Sequence, residues 1–283
     1  MPFVLSDTQR DQFQRDGYLI IERLFDGVEI DLLGKIARAD RELSRDAASR
    51  RDGAGGVIRL SVRNELGDDI YSAIVRCRRI VDTMERLLDG EVYHYHHKMI
   101  LKEPRVGGAW EWHQDYGYWY ETGCLFPDLA SCMIAVDRAN PANGCLQVLE
   151  GSHRMGRLDH GPVGDQTGAD PERVGAALKR LERVSCSLEP GDAVFFHCNL
   201  LHRSDRNDSD QPRWALICCY NAARNDPYKD SRHPRYAFLE KWPDSFVTEI
   251  GAAQWETLRL EIETASSSQE TNPEAKLLDK PRL

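Results

Sequence analysis

The sequence predicts a mainly β fold, a sandwich core with helices packed around it, from three observations. Past residue 90 the chain is a succession of strand-length apolar runs set between turn formers. Before it, apolar residues recur at helical spacing. The 283 residues, 41% of them hydrophobic, suffice for one core. Ser6-Asp7-Thr8 offers cap chemistry for a polar helix ending near Gly17, and Tyr18–Ile21 is a short strand. From Val28 to about Arg45, the residues Ile30, Leu33, Ile36, Ala37 and Leu43 mark a helix, and Leu66 to Leu88 holds a second helical pattern. Arg76, Arg78 and Arg79 in that pattern read as a solvated face, and the glycine-rich stretch from Arg50 to Gly56 reads as a loop. Strands are expected over Glu91–Leu101, Leu129–Val136, Cys145–Leu149 after the Asn143-Gly144 turn, the run following Pro190-Gly191-Asp192, and Arg213–Tyr220. Arg154 to Val184, partly helical, is an insertion of the kind that forms a lid. The expected organisation is one domain over 1–263, with a helical part to about 90, a sandwich core over about 91–224, a wrap over about 225–263 and a flexible tail over 264–283.

The stretch with the most chemistry is Trp110-Glu111-Trp112-His113-Gln114-Asp115-Tyr116. In an extended strand, positions i and i+2 share a face, so His113 and Asp115 are expected to point together into one space. One distant histidine would complete a two-histidine, one-carboxylate triad of the non-haem Fe(II) type, which leaves other positions open for cosubstrate and O₂. His202 is the candidate, at the end of the apolar run that starts near Ala193. Asp205 to Pro212 is dense in Asp, Asn, Ser and Pro and reads as a hairpin loop, which would pair that run with the strand beginning at Arg213 and set Arg213 beside His202. A guanidinium so placed needs an anion, and its fork of donors suits the far carboxylate of a dicarboxylic cosubstrate.

With His113-Gln114-Asp115, Asn143-Gly144-Cys145-Leu146, Gly151-Ser152-His153, Phe195-Phe196-His197 and His202-x-Ser204 followed by Arg213, the chain resembles the phytanoyl-CoA dioxygenase family of Fe(II)- and 2-oxoglutarate-dependent oxygenases, from Asp16-Gly17-Tyr18 to about Tyr228. The resemblance implies a double-stranded β-helix of the jelly-roll type. It implies that His113, Asp115 and His202 hold Fe(II), that Arg213 and Ser204 hold 2-oxoglutarate, and that Met99 lines the cosubstrate pocket. Resembling halogenases lack the carboxylate, so Asp115 implies hydroxylation of a C–H bond, with release of succinate and CO₂.

If Met99 faces the cosubstrate, alternation along the strand puts Tyr95 and His97 on the same side as candidate substrate contacts. Trp112, Tyr116 and Tyr118 are further candidates, as an aromatic wall beside the metal. Arg59, Arg63 and Lys98 near the expected pocket edges suggest a polar or anionic small metabolite. A net charge of −9 argues against nucleic acid as partner, and the sequence predicts neither a signal peptide nor a membrane span. Eight scattered cysteines without CxxC spacing suit a reduced, cytoplasmic protein. Two other classes use some of the same residues: a metal-dependent hydrolase, in which Arg213 and Ser204 have no evident task, and a non-catalytic jelly roll that binds a small molecule.

Overall fold

The computed structural model describes residues 3–52 and 55–270. Its elements, in chain order, begin with helix α1 (Asp7–Asp16), strand β1 (Tyr18–Ile21), helices α2 (Gly27–Ala39) and α3 (Arg41–Asp46), strands β2 (Ala48–Arg51) and β3 (Val57–Arg63), and helices α4 (Ile70–Arg76) and α5 (Arg78–Leu88). The core follows with β4 (Val92–Lys102), β5 (Trp110–His113), the short helix α6 (Asp115–Trp119), β6 (Leu129–Ala135) and β7 (Leu146–Leu149). An excursion of β8 (His160–Val163), β9 (Gln166–Ala169) and α7 (Pro171–Leu178) precedes β10 (Arg183–Cys186), β11 (Ala193–His197), β12 (His202–Ser204), β13 (Arg213–Ala222) and the 25-residue helix α8 (Phe246–Glu270).

Local chemistry sets the N-terminal boundaries. Ser6 and Gln9 form a reciprocal capping box that starts α1, and Gly17, at φ 83°, accepts the left-handed turn that ends it. Asp26 and Glu29 do the same for the start of α2. Each of the two long helical patterns is broken once, at Asp40 and at Cys77, which sit in extended conformation between helices.

The strands form a seven-stranded sheet in the order β1-β11-β6-β13-β4-β3-β2 and a four-stranded sheet in the order β10-β7-β12-β5, with β8 and β9 as a separate hairpin. All named pairings are antiparallel. The central strands of the larger sheet are buried on both faces. Leu216, Cys218 and Tyr220 of β13 point into a core shared with α2, α4 and α5, while Ala215, Ile217 and Cys219 point towards the second sheet. That alternation makes β13 apolar along its whole length, as a strand covered on both sides must be.

Three expectations change here. The chain from Ala193 to His202 is not one strand. It turns at Leu200, whose N–H donates to the His197 carbonyl (2.9 Å), and so passes from the large sheet at β11 to the small one at β12. Strand β13 therefore pairs with β4 and β6, and the expected hairpin between the His202 and Arg213 strands does not form. Of the three arginines expected on a solvated face only Arg78 is exposed: Arg79 is largely covered and pairs with Glu29 at 2.6 Å, and Arg76 lies over the Trp242 ring. The flexible tail expected from residue 264 starts inside α8, which packs on α2 and α4 and continues to Glu270; residues 271–283 lie outside the described residues. Among the described residues no helix is long and apolar enough to cross a membrane.

Candidate metal centre

His113 ends β5 and faces His202 directly across the β5–β12 ladder, with ring centroids 4.0 Å apart. Asp115 does not continue the strand, as sequence spacing suggested. The chain turns at Gln114, and Asp115 is the first residue of α6. Gln114 holds that turn: fully buried, it donates through Nε2 to the carbonyls of Gly156 (2.8 Å) and Asn199 (2.7 Å), and its Oε1 accepts from the Leu158 N–H (2.7 Å). The turn brings the carboxylate back to the histidines. Ligand atoms of His113, Asp115 and His202 all lie within 4.8 Å of one another, and all three residues are buried.

The protonation of the site follows from its hydrogen bonds. His113 Nδ1 is 2.7 Å from the Glu111 carbonyl and His202 Nδ1 is 2.9 Å from the Leu200 carbonyl. A carbonyl only accepts, so each Nδ1 carries the proton and each Nε2 keeps a lone pair for a metal. Burial and the neighbouring His202 push His113 well below the usual histidine range, and burial lowers His202 too. Both rings are thus neutral, and the 3.8 Å between His113 Nε2 and Asp115 Oδ1 is not an ion pair. Ser131 Oγ on β6 donates to Asp115 Oδ2 (3.3 Å) and orients the carboxylate.

The triad opens into a cavity of about 520 Å³ that also contains Arg213 and Ser204. Arg213, at the start of β13, is 4% exposed. Its Nη2 donates to the Gly144 carbonyl (2.8 Å) and its Nε has no partner. Burial pushes the guanidinium down to about 10. Opposite it in register lies Lys102, fully buried, whose Nζ donates to Ser204 Oγ (2.8 Å) and to the Asp205 carbonyl. Burial, then the nearby Arg213, lower the Lys102 ammonium well below its usual range. Among the described residues, neither cation forms an ion pair. Arg213 and Lys102 are thus two buried basic side chains without a carboxylate, one of them with a spare guanidinium nitrogen, a set of donors able to take an anion.

A family model for phytanoyl-CoA dioxygenase matches residues 13–215. The chain belongs to the phytanoyl-CoA dioxygenase family. It is similar to L-proline trans-4-hydroxylase of Streptomyces griseoviridis, with 28% identity over 239 residues, covering 79% of this chain and 89% of that protein. It is similar also to the ectoine dioxygenase of Bordetella parapertussis, with 29% identity over 249 residues, covering 82% and 80%. Among solved structures, EctD from S. alaskensis with 2-oxoglutarate and 5-hydroxyectoine superposes with a TM-score of 0.73 at 25% identity, covering 84% of this chain and 88% of that one. The jelly-roll architecture is therefore that of a known Fe/2-oxoglutarate enzyme fold.

Within this member of the phytanoyl-CoA dioxygenase family, the residues singled out from sequence divide cleanly. His113, Asp115, His202, Ser204, Arg213 and Tyr118 share the cavity. Met99 does not: it lies on the opposite face of β4, in the core under the helices. His97 is on that same outer face, with Nδ1 3.1 Å from His94 Nε2 and its ring stacked on Tyr71. Tyr95 faces inward but sits behind the lining, against Trp119 and His233. Trp112 packs in a satellite core with the Arg203 guanidinium over its ring, and the buried Tyr116 hydroxyl donates to the Leu125 carbonyl (2.7 Å). Neither Trp112 nor Tyr116 lines the cavity. Arg59 donates to the Ser44 carbonyl and Arg63 pairs with Asp40 and Asp69, so of the three expected cations only Lys98 reaches the cavity. Sequence reasoning missed Lys102, Gln114, Arg232 and His233. Gln114 stood inside the key motif; the others carry no local signal.

Proposed function

We propose that the chain is an Fe(II)- and 2-oxoglutarate-dependent dioxygenase that hydroxylates a C–H bond of a small molecule. The observation that carries this reading is one cavity holding both a neutral two-histidine, one-carboxylate set and a buried, unanswered guanidinium. The donor set fits iron: His113, Asp115 and His202 would hold it, leaving sites open on the cavity side. Arg213 with Ser204 and Lys102 fit the far carboxylate of 2-oxoglutarate, which answers the charge that burial leaves uncompensated. When bound, iron and 2-oxoglutarate supply the oxidising chemistry, with succinate and CO₂ as coproducts.

The chain's own residues do the rest. Gln114 fixes the turn between the two ligands, Ser131 orients the carboxylate, and the carbonyls of Glu111 and Leu200 fix both imidazole tautomers. The β8–β9 hairpin contributes Gln166 and Thr167 to the cavity wall, where it limits water, and Tyr118 Oη bonds to the Thr167 carbonyl. All eight cysteines are buried and unpaired, which supports a reducing, cytoplasmic setting. Anaerobic addition of 2-oxoglutarate to the Fe(II) protein should give a visible metal-to-ligand absorption band, and aerobic turnover should release succinate. Iron binding without the band would reject the oxygenase in favour of another metal enzyme.

A further inference from the structure

Charge in the cavity is arranged against the sign of the whole protein. The chain carries −9, yet the cavity is lined by Arg50, Lys98, Arg203, Arg213 and Arg232 against only Asp115 and Asp165. A divalent iron with Arg213 would balance Asp115 and the cosubstrate dianion, and Arg203 is answered by Asp205. Arg50, Lys98 and Arg232 then face Asp165 alone. Among the described residues, no hydrogen bond or ion pair engages the Arg232 side chain, and Lys98 has only Asp115, at 3.9 Å. In a cleft with low-dielectric walls such an excess concentrates anions.

A second observation marks where the anion sits. His96 of β4 and His233 of the segment after β13 both line the cavity and stack with centroids 4.7 Å apart at 23°. His96 is 4% and His233 7% exposed, and each has its Nδ1 buried without a partner. Buried polar nitrogens are rarely left so. Lys98 and Arg232 are the charged neighbours that act on His233, and Arg232 also acts on Tyr118. The ring of Tyr118 is in turn 5.7 Å from His113, and Trp110, 5.8 Å from His113, and Trp119, 5.7 Å from His96, add further rings to the cavity wall.

We propose, resting on the oxygenase reading above, that the substrate is a compact molecule with an anionic head, a carboxylate or phosphate, which Arg232 and Lys98 hold beside the His96–His233 pair, while its apolar body lies along Trp110, Tyr118 and Trp119 towards the metal. Arg232 is the specificity-determining residue. It lies in the stretch that returns over the cavity mouth after β13, so the C-terminal wrap supplies part of the substrate site.

The test uses the whole chain loaded anaerobically with Fe(II) and saturating 2-oxoglutarate, with calorimetric titration of benzoate against benzamide and of phenyl phosphate against phenol. Inorganic phosphate serves as a head without a body. At least one anion is expected to bind at least about tenfold more tightly than its neutral counterpart, the size of one charge-assisted contact. Arg232→Gln should erase that preference and Arg232→Lys should restore part of it. Equal binding of the neutral counterparts, no anion binding at all, or a preference that survives Arg232→Gln overturns the inference. The absorption band is recorded first in the same samples: its absence refutes the oxygenase reading, while the anion preference is scored independently of it. Phosphate binding as well as the whole probes identifies the head as the dominant contact and supports the assignment.

Discussion

Replacing Arg213 with Met separates a residue kept for a ligand from one kept for the fold. In the free protein the guanidinium makes one hydrogen bond, to the Gly144 carbonyl, and leaves Nε unpaired in a site also occupied by the Lys102 ammonium. The substitution loses that bond, worth about 1 kcal/mol net, and removes a buried cation lacking a carboxylate, whose burial costs several kcal/mol after relaxation. The unliganded variant should therefore unfold at the same temperature as the parent or higher. Cosubstrate binding should move the other way. Loss of one member of a buried charge pair costs about 3–5 kcal/mol, and because Lys102 and Ser204 remain beside the carboxylate the lower end applies, about two powers of ten in Kd. Thermal unfolding of the metal-loaded protein measures both effects. At 2-oxoglutarate equal to about 100 times the parent Kd, the parent gains about 2.7 kcal/mol and the variant, now near its own Kd, only about 0.4 kcal/mol. Parent-like cosubstrate affinity in a folded Arg213→Met protein would refute the role given to the guanidinium. A large fall in the unliganded melting temperature would show that it serves the fold instead.

Other perturbations reach different parts of the same argument. Asp115→Ala removes one of three ligands from a buried site and should lower iron affinity at least about a hundredfold, read by metal analysis after dialysis, with succinate release lost; full iron content would contradict the triad. Gly144 sits at φ 74°, and a Cβ there would meet the Asp205 carbonyl, so Gly144→Ala should cost about 1–3 kcal/mol in urea unfolding and weaken cosubstrate by shifting the carbonyl that Arg213 uses. Burial holds His97 down at about 4, so it is neutral in the native state while the unfolded chain takes up a proton below about 6.5. Its contribution is thus present above pH 6.5 and lost as pH falls towards 4, at up to about 1.4 kcal/mol per pH unit. His97→Asn should flatten the stability slope over that window, and an unchanged slope would exclude His97 as its source.

That His113, Asp115, His202 and Arg213 come together in one cavity was legible in the sequence, because two imidazoles, a carboxylate and a lone cation near strand ends have few joint uses. The helices were legible from capping residues and periodicity, and the sequence placed Tyr18–Ile21 as a strand with the bounds the structure gives. What local pattern could not carry was the crossing between sheets. Between Ala193 and His202 the chain is mainly apolar, broken only by His197 and Asn199, and carries no Gly or Pro to mark a bend, so the passage from β11 to β12 has the local pattern of one strand. Because β12 and β13 approach the cavity from different sheets, Ser204 and Arg213 line the same cavity without sharing a ladder. Arg232 and His233 gave no signal at all. They lie in a segment without regular structure, whose path is set by the surface it crosses.

The inversion along β4 has a single structural cause. Alternation assigns a whole strand once one residue is placed, and placing Met99 inward also turns His97 inward. The register with β13 shows the break: Cys219 is opposite His96 and Tyr220 is opposite His94, so Tyr95 is an extra, unpaired residue. Beyond the bulge His96, Lys98, Ile100 and Lys102 point inward with their partners Cys219, Ile217, Ala215 and Arg213. Before it the inward set is odd-numbered, and Asn221 Nδ2 donates to the inward Tyr93 hydroxyl at 2.8 Å. At the bulge two consecutive side chains, Tyr95 and His96, therefore face the same way. Tyr95 packs 5.6 Å from His96 and 4.7 Å from His233, so the extra residue puts an aromatic buttress behind the imidazole pair. One inserted residue thus turns His96 and Lys98 into the cavity and stiffens the wall on which the anionic head is proposed to rest.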